Sequence, residues 1–316
     1  MFAKLNLCAK KIILITGMTR SGKSLLSPII SSLKNSEQFF FNTIVENVLQ
    51  MHYMKKINFN VADHLIKKAI NECIYDKILG RNLNTKKDDF TSINLYKNKK
   101  IYMKRISLPK SKNLENSIEL EKNTFPILFH SGFLNLPLIE NSLNKPGIIN
   151  ISRHPVDLIS SWLKKKYGKI NSSSTIITAC TYDYNNFQLP FWCLGIEKEI
   201  IKEKTNEDRI LKMIFNLNSK FKKNYLKSEN KKNINLIKMD LFVTHPHRIL
   251  ENICNQFKLR KDIFSEQVLR EQRCPRIIDL EKRKKEKKKI LSNLSNENKI
   301  IFSKMIRDYE SNNLTF

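Results

Sequence analysis

The residues best suited to chemistry lie near the start of the chain, in the segment ITGMTRSGKSLL. An apolar run stops at Gly17, and Gly22, Lys23 and Ser24 follow at the spacing of a phosphate-binding loop. Backbone amides without a bulky Cβ nearby can surround an oxyanion, and a helix that starts after the loop points its positive end at the same place. The segment therefore predicts a phosphate site formed by Gly17, Thr19, Arg20, Ser21, Gly22, Lys23 and Ser24.

A second polar cluster follows a later apolar run, in the segment IINISRHPVDLISSW. Arg153 ends the run, Pro155 suits the first turn of a helix, and Ser161 lies eight residues after the arginine. The junction of a strand end and a helix start is where α/β folds bind anions. Arg153 offers a planar fork of donors to a phosphate, and Ser161 a hydroxyl. The alternative is a helix-capping salt bridge with a serine that faces the core.

The loop alone leaves the phosphate compound open, because it also satisfies the Walker A pattern of kinases that use Mg-ATP. Such a kinase needs a carboxylate after another strand to hold Mg²⁺. Asp240 is a weak match, and Asp157 falls within a helix start. The kinase hypothesis predicts a carboxylate near Ser24 and no phosphate role for Arg153.

The elements that must position these residues follow from the apolar periodicity. Short continuous apolar runs at residues 12–16, 125–129, 147–152 and 233–240 predict buried parallel strands. Helical spacing separates them, so the chain predicts an α/β class: a three-layer, P-loop-like fold with a central parallel sheet flanked by helices.

We expect one domain over residues 1–316, since the chain has no internal repeat and no Pro/Gly-rich linker. Residues 36–124 predict a helical insertion, loop-dominated over 80–122, and residues 275–316 a basic helical segment. The segment 181–195 predicts a loop whose aromatic residues are candidates for an acceptor wall, whereas Trp162 is expected in the core.

Composition points to anionic partners and a reducing compartment. The net charge is +27 and the isoelectric point is near 9.8, although lysine is abundant along the whole chain and the arginines are more informative. Six scattered cysteines lack a C-x-x-C pair, which argues against zinc and a disulfide framework. No stretch approaches the roughly 20 apolar residues of a membrane span. We expect a cytoplasmic protein without a signal peptide or transmembrane segment.

The two polar segments together resemble the PAPS-dependent sulfotransferases. Family members carry P-K-S-G-T-T or P-R-S-G-T-T, which binds the 5′-phosphosulfate of PAPS, and R-x-P-x-D-x-x-x-S, which holds the 3′-phosphate. Here TRSGKS is similar to the first and RHPVDLISS to the second. The resemblance covers roughly residues 10–35 and 125–260. It implies Arg153 and Ser161 as ligands of the 3′-phosphate, and Arg20 as the group that stabilises the leaving oxygen, with help from Lys23.

The resemblance also implies a base and a reaction. His130 ends the segment FPILFH, where the cytosolic members have their general base. Glu46 and Asp63 stay open as alternatives, because some carbohydrate sulfotransferases use a glutamate. The implied reaction is in-line transfer from PAPS to a hydroxyl or amine of a carbohydrate, lipid or small molecule, which releases 3′,5′-ADP and requires no metal.

The acceptor is not specified by these motifs. Basic charge suggests an anionic sugar or lipid headgroup, and no nucleic acid is expected as a partner. A third hypothesis is a non-catalytic protein that binds nucleic acid or another polyanion.

Two features depart from the family pattern. Lys23 stands where threonine is usual, so it either adds a cation against the phosphosulfate or indicates an ATP site. The glycine-containing basic segment that closes over the 3′-phosphate is missing, because no glycine follows Gly195. Arg273, Arg276 or the run 282–289 could supply that charge, although such a run is usually a solvated helix face.

Overall fold

The computed structural model describes residues 5–115, 122–130, 132–170, 179–311, 314 and 316. The strands within these residues are β1 (Lys11–Thr16), β2 (Thr124–Leu128), β3 (Gly147–Ser152), β4 (Thr181–Tyr184), β5 (Phe187–Pro190) and β6 (Ile234–Lys238). Four of them form a parallel sheet in the order β2-β1-β3-β6, and β4 and β5 form an antiparallel hairpin.

The helices fall into two stretches of the chain. Before β3 lie α1 (Lys23–Ser31), α2 (Thr43–Tyr53), α3 (Phe59–Leu79), α4 (Lys100–Ser107), α5 (Lys110–Glu115) and α6 (Leu136–Ser142). After β3 lie α7 (Pro155–Lys164), α8 (Glu197–Lys202), α9 (Asn206–Lys227), α10 (Met239–Thr244), α11 (Pro246–Phe257), α12 (Ser265–Glu271), α13 (Leu280–Asn293) and α14 (Asn296–Glu310).

The sheet is buried on both faces, which is why its strands read as continuous apolar runs. Along β1, Ile12 and Leu14 pack into one hydrophobic cluster, and Ile13 and Ile15 pack into the other. The second cluster includes side chains of α1, α10, α11 and α12, whereas the first includes α2, α3, α7, α9 and α14. Helices therefore cover both faces, and the predicted α/β class is confirmed.

The register of the parallel strands places the predicted site at their carboxyl ends. Ile15 of β1 lies opposite Leu128 of β2, and Thr16 lies opposite Asn150 of β3. Since these strands are parallel, the residues that follow them meet at their carboxyl ends. The phosphate loop, His130 and Arg153 are such residues.

One local prediction was incomplete and another was wrong. Most described residues of the stretch 80–122 lie outside helices, as expected, but α4 and α5 form over 100–115, where Tyr102 is fully buried and Arg105 pairs with buried Glu37 at 2.7 Å. The predicted loop at 181–195 contains the hairpin of β4 and β5, whose turn places two asparagines, at 185 and 186, at φ 47° and 64°.

Two further observations concern the chain as described. Among the helices of these residues, none is long and apolar enough to span a bilayer. All six cysteines have free thiols.

Candidate active site

The phosphate loop connects β1 to α1 and depends on two glycines. Gly17 has φ 143° and Gly22 has φ 114°, a region that favours glycine. A Cβ on Gly17 would collide with the carbonyl oxygen of Ile151, and one on Gly22 would lie 2.6 Å from the sulfur of Met239. Larger residues at these two positions would therefore displace the loop from the sheet.

Lys23 is the buried cation of the loop. Its Nζ donates to the carbonyl oxygens of Gly17, at 2.9 Å, and Met18, at 2.6 Å. Burial lowers the pKa of Lys23 to about 7; the charge of Glu46 opposes this effect and that of Arg20 adds to it. A bound anion would favour the charged ammonium and raise this pKa.

Arg20 connects the two predicted polar segments. Its Nε donates to Oγ of Ser161 at 3.1 Å, and Nη1 of Arg153 donates to its carbonyl oxygen at 3.0 Å. Burial lowers the pKa of Arg153, and the charges of Arg20 and Arg276 add to the effect, although Asp157 opposes it. Cations that repel one another at a strand end form a site that favours an anion.

Trp162 of α7 forms a hydrogen bond with the phosphate loop. Its side chain is buried, as expected, and its indole Nε1 also donates to the carbonyl oxygen of Thr19 at 3.0 Å. The sequence pattern of α7 marked Trp162 as a core residue but gave no signal for this hydrogen bond, because Thr19 is distant along the chain.

His130 and Glu46 form a pair at the end of β2. The buried Glu46 carboxylate accepts the backbone N–H of His130, and its Oε1 lies 3.3 Å from the ring Nδ1. Phe41 packs edge-on against the imidazole, with ring centroids 5.3 Å apart. When Nδ1–H points at Glu46, Nε2 is the ring nitrogen that can accept a proton.

A cleft of about 980 Å³ is lined by residues of the phosphate loop and by the Glu46–His130 pair. The predicted residues among its lining are Thr19, Arg20, Gly22, Lys23, Ser24, Glu46 and His130. Arg153 and Ser161 are not among the residues that line this cleft, but both form hydrogen bonds with Arg20, which does line it. Ser21 lies inside the loop: its hydroxyl is buried beside Gly17 and has no hydrogen-bond partner in the part of the chain that the structure describes.

The remaining carboxylate candidates are engaged elsewhere. Arg283, which belongs to the run 282–289, pairs with Asp157 at 2.6 Å and with Asp240 at 2.8 Å. These ion pairs connect α13 to α7 and to α10. Asp63 accepts hydrogen bonds from Lys67, Asn141 and Ser142, and it ties α3 to α6. Of the two carboxylates considered as a base, Glu46 is the one that lines the cleft.

Several lining residues were not foreseen from the sequence. Thr43, Asn47 and Gln50 of α2 line the cleft, as does Lys165, which is exposed at the cleft mouth. Their contribution depends on how α2 and α7 pack around β2, and no local pattern signals that packing.

Comparison with known proteins gives structural matches only. No protein-family model matches the chain, and no curated protein sequence matches it. A sulfotransferase domain from the curacin biosynthetic pathway is 11% identical, with 82% of this chain and 77% of that chain covered and a TM-score of 0.45. A sulfotransferase domain from the Synechococcus PCC 7002 olefin synthase is 13% identical, with 98% of this chain and 90% of that chain covered and a TM-score of 0.42.

A third similar structure is a sulfotransferase from Mycobacterium tuberculosis. It is 10% identical, with 83% of this chain and 71% of that chain covered, and the TM-score is 0.40. All three proteins are sulfotransferases or sulfotransferase domains. The similarity is low, so no residue role is transferred from them to this chain.

Proposed function

We propose that the protein is a sulfotransferase that transfers a sulfuryl group from PAPS to a hydroxyl or amine of an acceptor. The observation that carries the proposal is the contact of Arg20 with both Ser161 and Arg153. This contact joins the phosphate loop and the second polar segment into one cationic site. A nucleotide with phosphate groups at both the 5′ and the 3′ position has charges that match the two parts.

The residues present fit such a nucleotide. The first amides of α1 lack intrahelical partners by geometry, and with Lys23 they offer donors to the 5′ group. Arg153 uses one N–H for the Arg20 carbonyl, which leaves further donors of its fork for a 3′-phosphate. Burial lowers the pKa of Lys23 and of Arg153, repulsion by Arg20 adds to both effects, and a bound anion would oppose them.

When bound, PAPS supplies a sulfuryl group whose bond to the bridging oxygen breaks as sulfur bonds to the acceptor oxygen or nitrogen, and 3′,5′-ADP leaves with the electron pair. Nε2 of His130 takes the acceptor proton, and Glu46 stabilises the resulting imidazolium. Lys23 and Arg20 stabilise the negative charge that develops on the leaving oxygen. The cleft would hold the acceptor group near His130 and the donor at the phosphate loop, so that the reaction would take place between two bound molecules.

The kinase hypothesis has less support from the same residues. Asp240, the carboxylate considered for Mg²⁺, is paired with Arg283, and Glu46 accepts the backbone N–H of His130. A kinase site also gives no reason for Arg153 to lie against the loop.

A thermal-shift comparison of two nucleotides tests the proposal. We expect 3′,5′-ADP to raise the melting temperature without added metal, and ADP with Mg²⁺ to raise it less at equal concentration. Stabilisation by Mg-ADP without any response to 3′,5′-ADP would show that the loop serves an ATP-type site.

A further inference from the structure

The cleft has an apolar half that a nucleotide does not explain. Away from the phosphate loop and the Glu46–His130 pair, aromatic and aliphatic side chains dominate its lining. Six of them define what we call the apolar half: Phe41, Met51, Phe90, Tyr167, Phe191 and Trp192. The cleft volume near 980 Å³ lies at the upper end of the roughly 300–1,000 Å³ of ligand pockets, and the apolar half is a part of it that the phosphate loop does not line.

One wall of the apolar half is a rigid aromatic cluster. The ring of Trp192 lies 5.1 Å from that of Phe191 and 5.7 Å from that of Tyr167. It also lies 5.7 Å from Trp162, the residue that holds the phosphate loop. Because these rings support one another, the wall presents a fixed apolar surface next to the loop.

The other wall places apolar groups directly at His130. Phe41 packs edge-on against the imidazole, and Phe90 at the cleft mouth is 42% exposed and stacks on Phe39 at 5.7 Å. A molecule that brings its hydroxyl to His130 must therefore lie between aromatic surfaces.

Charge around the apolar half is sparse. Arg20 and Lys23 belong to the phosphate loop, and Glu46 is engaged by His130. In the described part of the lining, Lys165 is the one further charged residue, and it lies at the mouth. A sugar would bury several hydroxyl groups in this half, where Tyr167 and Trp192 carry the only hydrogen-bonding N–H and O–H groups of the six side chains, and hydroxyl groups left without a partner there are unfavourable.

We infer that the acceptor is an uncharged alcohol with a large apolar body, bound between Phe41 and Phe90 on one side and Phe191 and Trp192 on the other. Its hydroxyl lies at His130. The inference rests on the proposed sulfotransferase function and replaces the anionic sugar or lipid headgroup that the net charge suggested.

Binding to the preformed complex with 3′,5′-ADP tests this acceptor class. Calorimetric titrations of the complex would compare 2-naphthol, an uncharged aromatic alcohol, with N-acetylglucosamine and glucuronic acid. We expect 2-naphthol to bind at least about tenfold more tightly than either sugar, since its ring system leaves water for an apolar surface.

Two phenylalanine variants form a test and its matched control. Phe90→Ala removes a cleft ring and should weaken 2-naphthol binding several-fold. Phe59→Ala removes a ring of similar exposure, 39%, that is not part of the cleft lining, and should leave binding unchanged. Phe41→Ala gives a second cleft variant should Phe90→Ala misfold.

The outcomes separate this inference from the proposed function. If 3′,5′-ADP binds but a sugar binds more tightly than 2-naphthol, or neither cleft variant weakens 2-naphthol binding, the acceptor class is wrong and the function stands. If 3′,5′-ADP itself does not bind, the function and the acceptor class both fall.

Discussion

Lys23 shows how surroundings determine the chemistry of a single side chain. By sequence, it either indicated a kinase loop or added a cation to a sulfotransferase loop. In the structure its ammonium donates to two carbonyl oxygens of its own loop, and burial lowers its pKa to about 7. A lysine that is partly neutral near pH 7 gains its full charge when an anion arrives, which couples nucleotide binding to proton uptake.

The shift has a consequence for stability. An unfolded lysine titrates near 10.4 and Lys23 titrates near 7, so between these values the unfolded state carries the additional proton. The titration of Lys23 therefore makes the free energy of unfolding rise with pH between these two values, by at most about 1.4 kcal/mol per pH unit. Lys23→Met should remove this contribution, and urea unfolding at several pH values would measure the difference between wild type and variant.

Lys165→Met is the matched control, because Lys165 lines the same cleft but is exposed. It should retain the wild-type pH dependence. A wild-type slope that Lys23→Met leaves unaltered would contradict the assigned burial of the ammonium.

At the scale of elements, α7 organises the site. It starts at Pro155, directly after Arg153 and His154, and it carries Ser161 and Trp162. Pro155 allowed the start of this helix to be predicted, and Trp162 was correctly expected in the core. The partner of Asp157 could not be predicted, because Arg283 lies 126 residues away and the two residues meet only when α13 packs against α7.

The hydrogen bond from Trp162 gives a prediction for this element. Trp162→Phe keeps an aromatic ring but loses the donor to Thr19, so nucleotide affinity should fall by about fivefold and stability by about 1 kcal/mol. Calorimetric titration with 3′,5′-ADP and urea unfolding would measure the two effects.

Trp192→Phe is the control for ring size. Trp192 is equally part of the aromatic cluster, but its Nε1 is buried and has no hydrogen-bond partner within the described residues. The substitution should leave 3′,5′-ADP affinity nearly unchanged. Equal losses in the two variants would mean that packing, and not the bond to Thr19, positions the loop.

At the scale of the molecule, the sheet was predictable and the contacts across it were not. Strands buried on both faces need continuous apolar runs, so β1, β2, β3 and β6 could be read from sequence. Helices α4 and α5 were missed because tertiary contacts stabilise them, such as the burial of Tyr102 and the pairing of Arg105 with Glu37. The net charge of +27 suggested an anionic acceptor, yet the cleft beside His130 is largely apolar.

The contact of Arg20 with Arg153 and Ser161 also depends on the fold of the whole molecule, because only the fold brings these two distant segments together. The central claim is that these segments bind one nucleotide through its 5′ and 3′ phosphates. Calorimetric affinities of 3′,5′-ADP and 5′-AMP, for wild type, Arg153→Lys and Ser161→Ala, test it most directly. Arg81→Lys, at a surface arginine paired with Asp76, is the control.

Wild type and the control should favour 3′,5′-ADP over 5′-AMP by about ten- to a hundredfold, as expected for charged hydrogen bonds. Arg153→Lys should remove most of this preference and Ser161→Ala part of it, while 5′-AMP affinity changes little. A preference for 3′,5′-ADP that persists unchanged in both variants would contradict the shared nucleotide site.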